Sequence, residues 1–537
     1  MKRLLFTWLL IASSLICGCS RGPEKPEQLV PPDAAFVAGA VRLDSVARAA
    51  DRLSARFASG MAAVFWQQFR RRLNQRMGFD PADPDQWRQN GIDPSSGVML
   101  AMSEAYETVL VLRLAGRKRF EKALERMLAN LGAGEKRVEK RDGVELLVFS
   151  ANLGERRQDK LFCAFRGDFA LLAAREGDVA WLCRSARVEP AASLARAAWY
   201  VDTRGLLGRG AQLFFASNPA RRPRARQKIL DEVDAASLAL EPEGIFFDAV
   251  LASSGLPPFL RVGRQKARLP LEKRLPPQTL ALATVRFDPS ELQRQLDSPQ
   301  QQGALGKLDS GGPGLFARLK EGRTLLSVLG GNLALGVGLS GVEGLGRLVA
   351  GDVRDPELLE NSLWFLGWAD VKEPHRVRRL FDEAVSATAG EIPLEHRTKR
   401  LEDGGNAMDV YTLASPMGRR VHFLLAGNLL GICAGAGCTD IAADAYLGKG
   451  GNVTTRLSEG SRSLVGGNHV AALVLRLGQL GSRVSEIDAE SLGKGGYGVK
   501  LVAGLLSGVL GGLKDLAVAL DARDGKRVLV RGRLWLN

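Results

Sequence analysis

The chain has 537 residues, 45% of them hydrophobic and 25% charged. That composition is globular and excludes a disordered chain, and the length allows at least two domains of ordinary size. The formal net charge of +15 is spread out, with denser runs at Arg70–Arg72, Arg221–Lys228 and Arg261–Arg274; aromatics are few and do not interleave with these runs, which makes nucleic acid a poor candidate partner.

Met1-Lys2-Arg3 opens the chain with two positive charges, Leu4 to Ile16 is an apolar run too short to span a bilayer, and Cys17-Gly18-Cys19-Ser20 follows with small residues. This is the pattern of a secretory signal. Ile16-Cys17-Gly18-Cys19 resembles the lipobox of bacterial lipoproteins: an aliphatic residue, then Cys17 where Ala, Ser or Thr is usual, then glycine and the obligatory cysteine. The resemblance implies that residues 1–18 are removed. It also implies that Cys19 becomes a lipidated N-terminus with enough acyl chains for stable anchoring. Ser20 in place of Asp implies the outer membrane where the host has two membranes. Residues 19–32, rich in proline and charge, are expected to form an extended tether reaching up to ~40 Å.

The body reads as a duplication. VPPDAAFVAGAVRLD from Val30 returns, with a one-residue gap, as LPPQTLALATVRFD from Leu275. Each is a proline-marked start, a β-strand and an Asp that opens a helix. Thr108–Leu114 and Leu363–Ala369 read as strands, leading into basic helices over Arg117–Asn130 and Glu373–Thr388. Asp142-Gly143 and Asp403-Gly404 each precede a strand. Lys160–Ala173 then matches Arg420–Cys433 as a hairpin, turning at Gly167-Asp168 and Gly427-Asn428, pairs that suit primed turns. WYVDTRGLL from Trp199 parallels ALVLRLGQL from Ala472, and hairpins over Leu238–Leu251 and Val518–Leu536 close the halves.

Two copies about 245 residues apart indicate domain doubling, because solenoid repeats are far shorter. The expected class is α+β: two tandem, similar halves, each a largely antiparallel sheet with packed helices, over residues 33–270 and 275–537. This order of elements resembles a broad group of duplicated exported bacterial proteins of unknown function, and the resemblance implies the fold alone. Val499–Leu516 is the longest late apolar run, interrupted by Lys500 and Lys514; with Gly504, Gly508 and Gly512 spaced for close packing, it is expected to be a buried helix of a soluble core.

After processing, Cys163, Cys183, Cys433 and Cys438 remain. An even number in an exported protein permits disulfides in three pairings. Cys163 with Cys183 and Cys433 with Cys438 is the pairing to test first, and buried free thiols are the alternative. The four histidines, His375, His396, His422 and His469, show no metal-ligand spacing, and His375 and His469 read as surface residues. If the second hairpin turns at Gly427-Asn428, His422 faces Cys433 across the sheet. An imidazole there could activate a thiol nucleophile, although an inert or bridged cysteine is the commoner outcome.

Gly336–Gly341 fits GxGxxG, but a strand-like segment follows it, so a glycine-rich strand is expected instead of a dinucleotide cradle. Ser491–Lys494 fits SxxK without its companion motifs. Gly448-Lys449-Gly450 lacks phosphate-loop spacing, and Arg166-Gly167-Asp168 serves a hairpin turn.

No catalytic set is complete, and no metal or cofactor is expected. The expected function is a non-enzymatic binding or structural module of the cell envelope, attached to the membrane by its lipidated N-terminus. Its contacts would be an envelope protein, lipid or an acidic polymer. A lipid or amphiphile carrier is the first alternative, and an enzyme with an unrecognised site the second. A large apolar pocket would favour the carrier, a polar cleft with shifted pKa values the enzyme, and broad exposed patches the module.

Overall fold

The computed structural model describes residues 23–56, 61–130, 133–152, 158–206, 212–221, 233–252, 258–260, 269–296, 326–341, 362–387, 394–401, 407–414, 420–487, 496–522 and 527–537. Cys19, most of the Arg221–Lys228 and Arg261–Arg274 runs, and Ser491–Lys494 lie outside the described residues. The class is α+β with antiparallel sheets, and the chain divides into two compact units, the first Met1–Ala55 with Val64–Leu240 and the second Arg56–Ala63 with Glu241–Asn537.

In the first unit the strands are β1 (Phe36–Ala40), β2 (Val98–Met102), β3 (Thr108–Arg113), β4 (Ala133–Arg141), β5 (Val144–Asn152), β6 (Gln158–Arg166), β7 (Phe169–Ala173), β8 (Leu213–Ser217) and β9 (Val233–Glu241). Their spatial order is β4-β5-β6-β7-β3-β2-β1-β8-β9, antiparallel throughout. Turn chemistry sets the hairpins. Asp142 and Gly143 both have positive φ (48° and 77°), joining β4 to β5, and Gly167 (57°) starts the β6–β7 turn. Helices α1 (Leu43–Arg56), α2 (Met61–Met77) and α3 (Pro84–Gln89) fall between β1 and β2 in the chain.

Helix α4 (Arg117–Asn130) buries Phe120, Ala123, Leu124 and Leu128, a stripe at helical spacing. It packs on the sheet face that carries Leu112, Leu147, Cys163 and Ala170. Helix α5 (Val179–Arg187) covers the alternate positions, where Val109, Leu146, Phe162 and Leu171 are fully buried.

The second unit contains β10 (Gly244–Ala252), β11 (Ala281–Arg286), β12 (Leu329–Leu339), β13 (Leu363–Val371), β14 (Leu394–Arg400), β15 (Ala407–Ala414), β16 (Arg420–Ala426), β17 (Leu429–Gly435), β18 (Ala471–Leu475), β19 (Leu513–Ala522) and β20 (Arg527–Leu536). Their order is β14-β15-β16-β17-β13-β12-β11-β18-β19-β20-β10, again antiparallel.

One face of this sheet is sealed by α9 (Cys438–Leu447) and α10 (Glu459–Gly466), which bury Leu282, Ala334, Trp364, Leu366, Trp368, Ala472, Val474 and Ala517 to 4% exposure or less. Glycines seat the large rings of this core. A Cβ on Gly338 would collide with the Trp364 indole, and one on Gly431 would lie 2.7 Å from the Trp368 ring. Gly336 and Gly338 of the GxGxxG segment therefore serve packing within β12, and Gly341 lies beyond the strand, where a Cβ would meet nothing. Helices α7 (Pro289–Leu296) and α8 (Pro374–Ala387) contribute to a second cluster on the opposite face, Leu292 from α7 and, at the β14–β17 end, Val377 and Phe381 from α8 with Ala369, Leu425 and Leu430.

Four details differ from the sequence reading. Pro26–Leu29, inside the expected tether, is a 3-10 turn with Leu29 and Val30 fully buried. The apolar Leu29-Val30 pair outweighs the surrounding prolines, and Leu194 N–H donates to Val30 O at 2.8 Å. The segment from Trp199 is helix α6 (Ala198–Leu206), with Tyr200 and Thr203 buried on one helical side, whereas the segment from Ala472 that it was expected to parallel begins in strand β18. Strand β10 belongs to the second unit, where β20 pairs with it over nine residues.

The fourth concerns α12 (Gly496–Gly511). It exposes Leu506 (40%) and Val509 (48%), and a Cβ on Gly504 or Gly508 would meet nothing. The close approach is made by Gly481 of α11 (Leu477–Ser485), against Leu510. Among the described residues, no helix is long and apolar enough to cross a membrane.

Candidate binding face

The cysteine and histidine candidates resolve first. Register pairs His422 with Cys433 directly across β16 and β17. Cys433, however, is fully buried and joined to Cys438 in a disulfide with Cα atoms 5.8 Å apart, so it offers no thiolate. His422 Nδ1 lies 2.9 Å from Thr412 Oγ1, and burial, followed by the nearby Arg397 and Arg420 charges, lowers its pKa.

Cys163 and Cys183 are free and buried, and burial raises both thiol pKa values. They do not bridge because they sit on opposite faces of the first sheet. Cys163 lies in the cluster under α4, whereas Cys183 on α5 points its sulfur at Arg141 O, 3.6 Å away.

His375 is exposed on α8. His396 stacks on Tyr411 at 4.5 Å and lies 3.6 Å from Asp409, which Arg378 Nη2 reaches at 2.8 Å. His469, read as a surface residue, is 9% exposed and bonded through Nδ1 to Asp521. Nothing in its GGNHV context signals an Asp fifty-two residues further on. Gly448 caps α9 with φ 73°, and Gly450 and Gly451 continue that turn. Among the described residues, no three His, Cys, Asp or Glu side chains are grouped to hold a metal.

What the register does assemble is an apolar face. Across the second unit, His396, Tyr411, Phe423, Ile432, Gly367, Leu335, Ala283, Leu473, Val518, Gly532 and Phe247 stand side by side on eleven successive strands. The adjacent line on the same face is Leu394, Leu413, Val421, Ala434, Phe365, Val337, Ala281, Leu475, Leu516, Leu534 and Ile245. All of that second line is apolar and all of it half-buried.

Polar side chains on these two lines are confined to His396 and Tyr411, at the end under α8, where Phe381 stacks on Tyr411 at 4.7 Å and Tyr411 Oη donates to Asp382 at 3.0 Å. Away from α8 the face opens: Leu473 is 42% and Phe247 37% exposed. Glycines again shape the surface. Gly367 lets Leu335 and Ile432 close over it, and Gly532 lies directly beneath the Phe247 ring.

The first unit carries a similar line: Val138, Leu147, Cys163, Leu172, Leu110, Leu100, Ala38, Phe215 and Ala236, with no polar side chain other than the Cys163 thiol. Helix α4 covers its middle, while Leu100 remains 44% and Val138 62% exposed. Burying a leucine side chain is worth about 1.5–3 kcal/mol, so rows of half-exposed aliphatic residues hold unrealised association energy, and contiguous patches of this kind mark interaction sites. Near-continuous apolar runs in the central strands are the sequence signal for two apolar faces; which of them stays open depends on where the helices pack.

Comparison with known proteins yields no match: no family model, no curated protein and no solved structure is similar to this chain.

Proposed function

We propose that the chain is a lipid-anchored protein of the bacterial cell envelope, attached at Cys19, whose body is a non-enzymatic binding module made of two copies of one α+β fold. Its binding surface is the open apolar sheet face. The observation that carries this reading is the line through Leu335, Ala283, Leu473 and Val518, apolar and part-exposed at the centre of an otherwise well-packed sheet.

Duplication is supported by the strand orders, which coincide strand for strand from β4 and β14 to β9 and β19. It is also supported by equivalent hydrogen bonds. Leu194 N–H donates to Val30 O as Val453 N–H does to Leu275 O, and Asn218 N–H donates to Ala35 O as Arg476 N–H does to Leu280 O. The copies follow the sequence repeat, 33–270 and 275–537; the compact units divide earlier because β10 pairs with β20. With Pro26 already packed, the tether shortens to the few residues after Cys19, which favours partners close to the membrane.

One observation favours the carrier as a second reading: the line from Leu394 to Ile245 contains no hydrogen-bonding side chain, so a hydrocarbon could lie along it without stranding a polar group. The two readings separate when the full chain is purified from its own envelope, beside a Leu335→Lys/Leu473→Lys variant. A protein partner at unit stoichiometry, reduced tenfold or more by the variant, is the expected result. Lipid at unit stoichiometry without a protein would move the assignment to the carrier. A partner retained equally by the variant would contradict the proposed face. Leu473→Lys itself should cost little stability, because Leu473 is 42% exposed, and Leu335, half-buried against Gly367, is the costlier of the two, so the folded state of the variant is checked by circular dichroism.

A further inference from the structure

On the other side of the first unit's sheet, the segment at Lys25–Glu27, the ends of β1, β2, β3 and β8, and helix α6 enclose a cavity of about 260 Å³. Its floor is apolar, with Met99 and Phe214, but its walls are rich in unused donors. The Arg204 guanidinium lies over the Phe214 ring, its Cζ 4.3 Å from the ring centre, and makes no hydrogen bond among the described residues. Arg113 comes no nearer than 4.0 Å to Asp93, an ion pair without a hydrogen bond. Tyr200 is 4% exposed, yet its hydroxyl has no partner among the described residues and lines the cavity.

The Tyr200 hydroxyl and the Arg204 guanidinium, with no hydrogen-bond partner among the described residues, and Arg113, held only by a long ion pair, leave donors on one cavity that a ligand rich in acceptor oxygens can satisfy. The two carboxylates in the wall do not fill this role. Asp93 Oδ1 accepts instead from the backbone and hydroxyl of Ser95, at 3.0 and 2.6 Å, and Glu27 accepts a hydrogen bond from none of the three groups.

We propose that this cavity binds a phosphate monoester group. Each guanidinium presents a planar fork that suits two acceptor oxygens, so two forks and a hydroxyl call for more acceptors than a single carboxylate offers, and a phosphoryl group supplies them. Burial, with the Glu27 charge second, raises the Tyr200 pKa, so the phenol stays protonated and available to donate. The volume lies just below the ordinary range for drug-sized ligands, which limits the rest of the molecule to a small group seated on Met99 and Phe214. The same chemistry could come from a free phosphate ester or from a phospholipid headgroup, since the cavity begins six residues beyond Cys19. This site is independent of the apolar face.

Calorimetric titration of the full chain in detergent, with glycerol 3-phosphate and separately with inorganic phosphate, tests the soluble source. Flotation with vesicles of phosphatidate, against phosphatidylcholine alone, tests the lipid source. Saturable one-site binding in at least one arm is expected, weakened tenfold or more by Arg204→Gln and by the charge-preserving Arg204→Lys, and a few-fold by Tyr200→Phe. Tyr200→Phe keeps the buried ring, so it reports on the site even if an arginine variant unfolds. No saturable binding in any arm, or equal binding by wild type and folded Arg204→Gln, would overturn the assignment.

Discussion

Replacing Trp368 by alanine should cost the second unit about 3–5 kcal/mol. The side chain is fully buried on β13 in the core cluster that also holds Leu366, Leu424, Ala442, Cys433 and Cys438, with its six-membered ring pressed against Gly431 and 6.2 Å from Tyr446. Its indole N–H is buried without an acceptor, so the variant forfeits packing and no hydrogen bond. Neighbours fixed in sheet and helix cannot collapse into the space, which places the loss in the upper part of the range for large-to-small changes. Because a chain of two units need not unfold in one step, the measurement is hydrogen exchange of the β13 and β17 amides. Protection there should fall by more than a hundredfold, and an effect under tenfold would show that the indole does not organise the core.

Gly435→Ala should be the other severe change. Gly435 ends β17 opposite Trp364 with φ 96°, a conformation that costs an L-residue ~1–2 kcal/mol. The added Cβ would also collide with the Leu363 carbonyl oxygen, part of the rigid ladder, for about 1–3 kcal/mol more. Gly437 is the control, since its φ is 65° but a Cβ there would meet nothing. In thermal melts Gly435→Ala should therefore lose clearly more stability than Gly437→Ala. Equal losses would mean that backbone conformation alone, and not the close approach to β13, sets the cost.

Local features of this fold were readable in the chain. The glycines at 167 and 427 have the positive φ that places both hairpin turns, and counting outward from the second pairs His422 with Cys433 as the register does. The helix over Arg117–Asn130 and the strand from Leu363 follow from their apolar spacing. Non-local features were not readable. Gly338 serves a tryptophan twenty-six residues away, so GxGxxG alone cannot distinguish a ring seat from a phosphate cradle. Prolines around Leu29-Val30 suggested an extended tether, whereas two fully buried aliphatic residues draw the segment into the core.

The binding face lay between these extremes. The central strands carry apolar residues on both sides, but the choice of which side α9 and α10 seal, leaving Leu473 outside, is made by helix packing. The phosphate cavity was least legible, since its arginines and tyrosine come from β3 and α6, far apart in sequence.

The account rests on the membrane attachment of this body, and the mass of the mature N-terminus in protein isolated from its own envelope tests that most directly. A terminal peptide beginning at Cys19 and carrying a diacylglyceryl thioether is the predicted result. An unmodified terminus at any other residue would contradict the anchor and, with it, the assignment of a membrane-bound binding module.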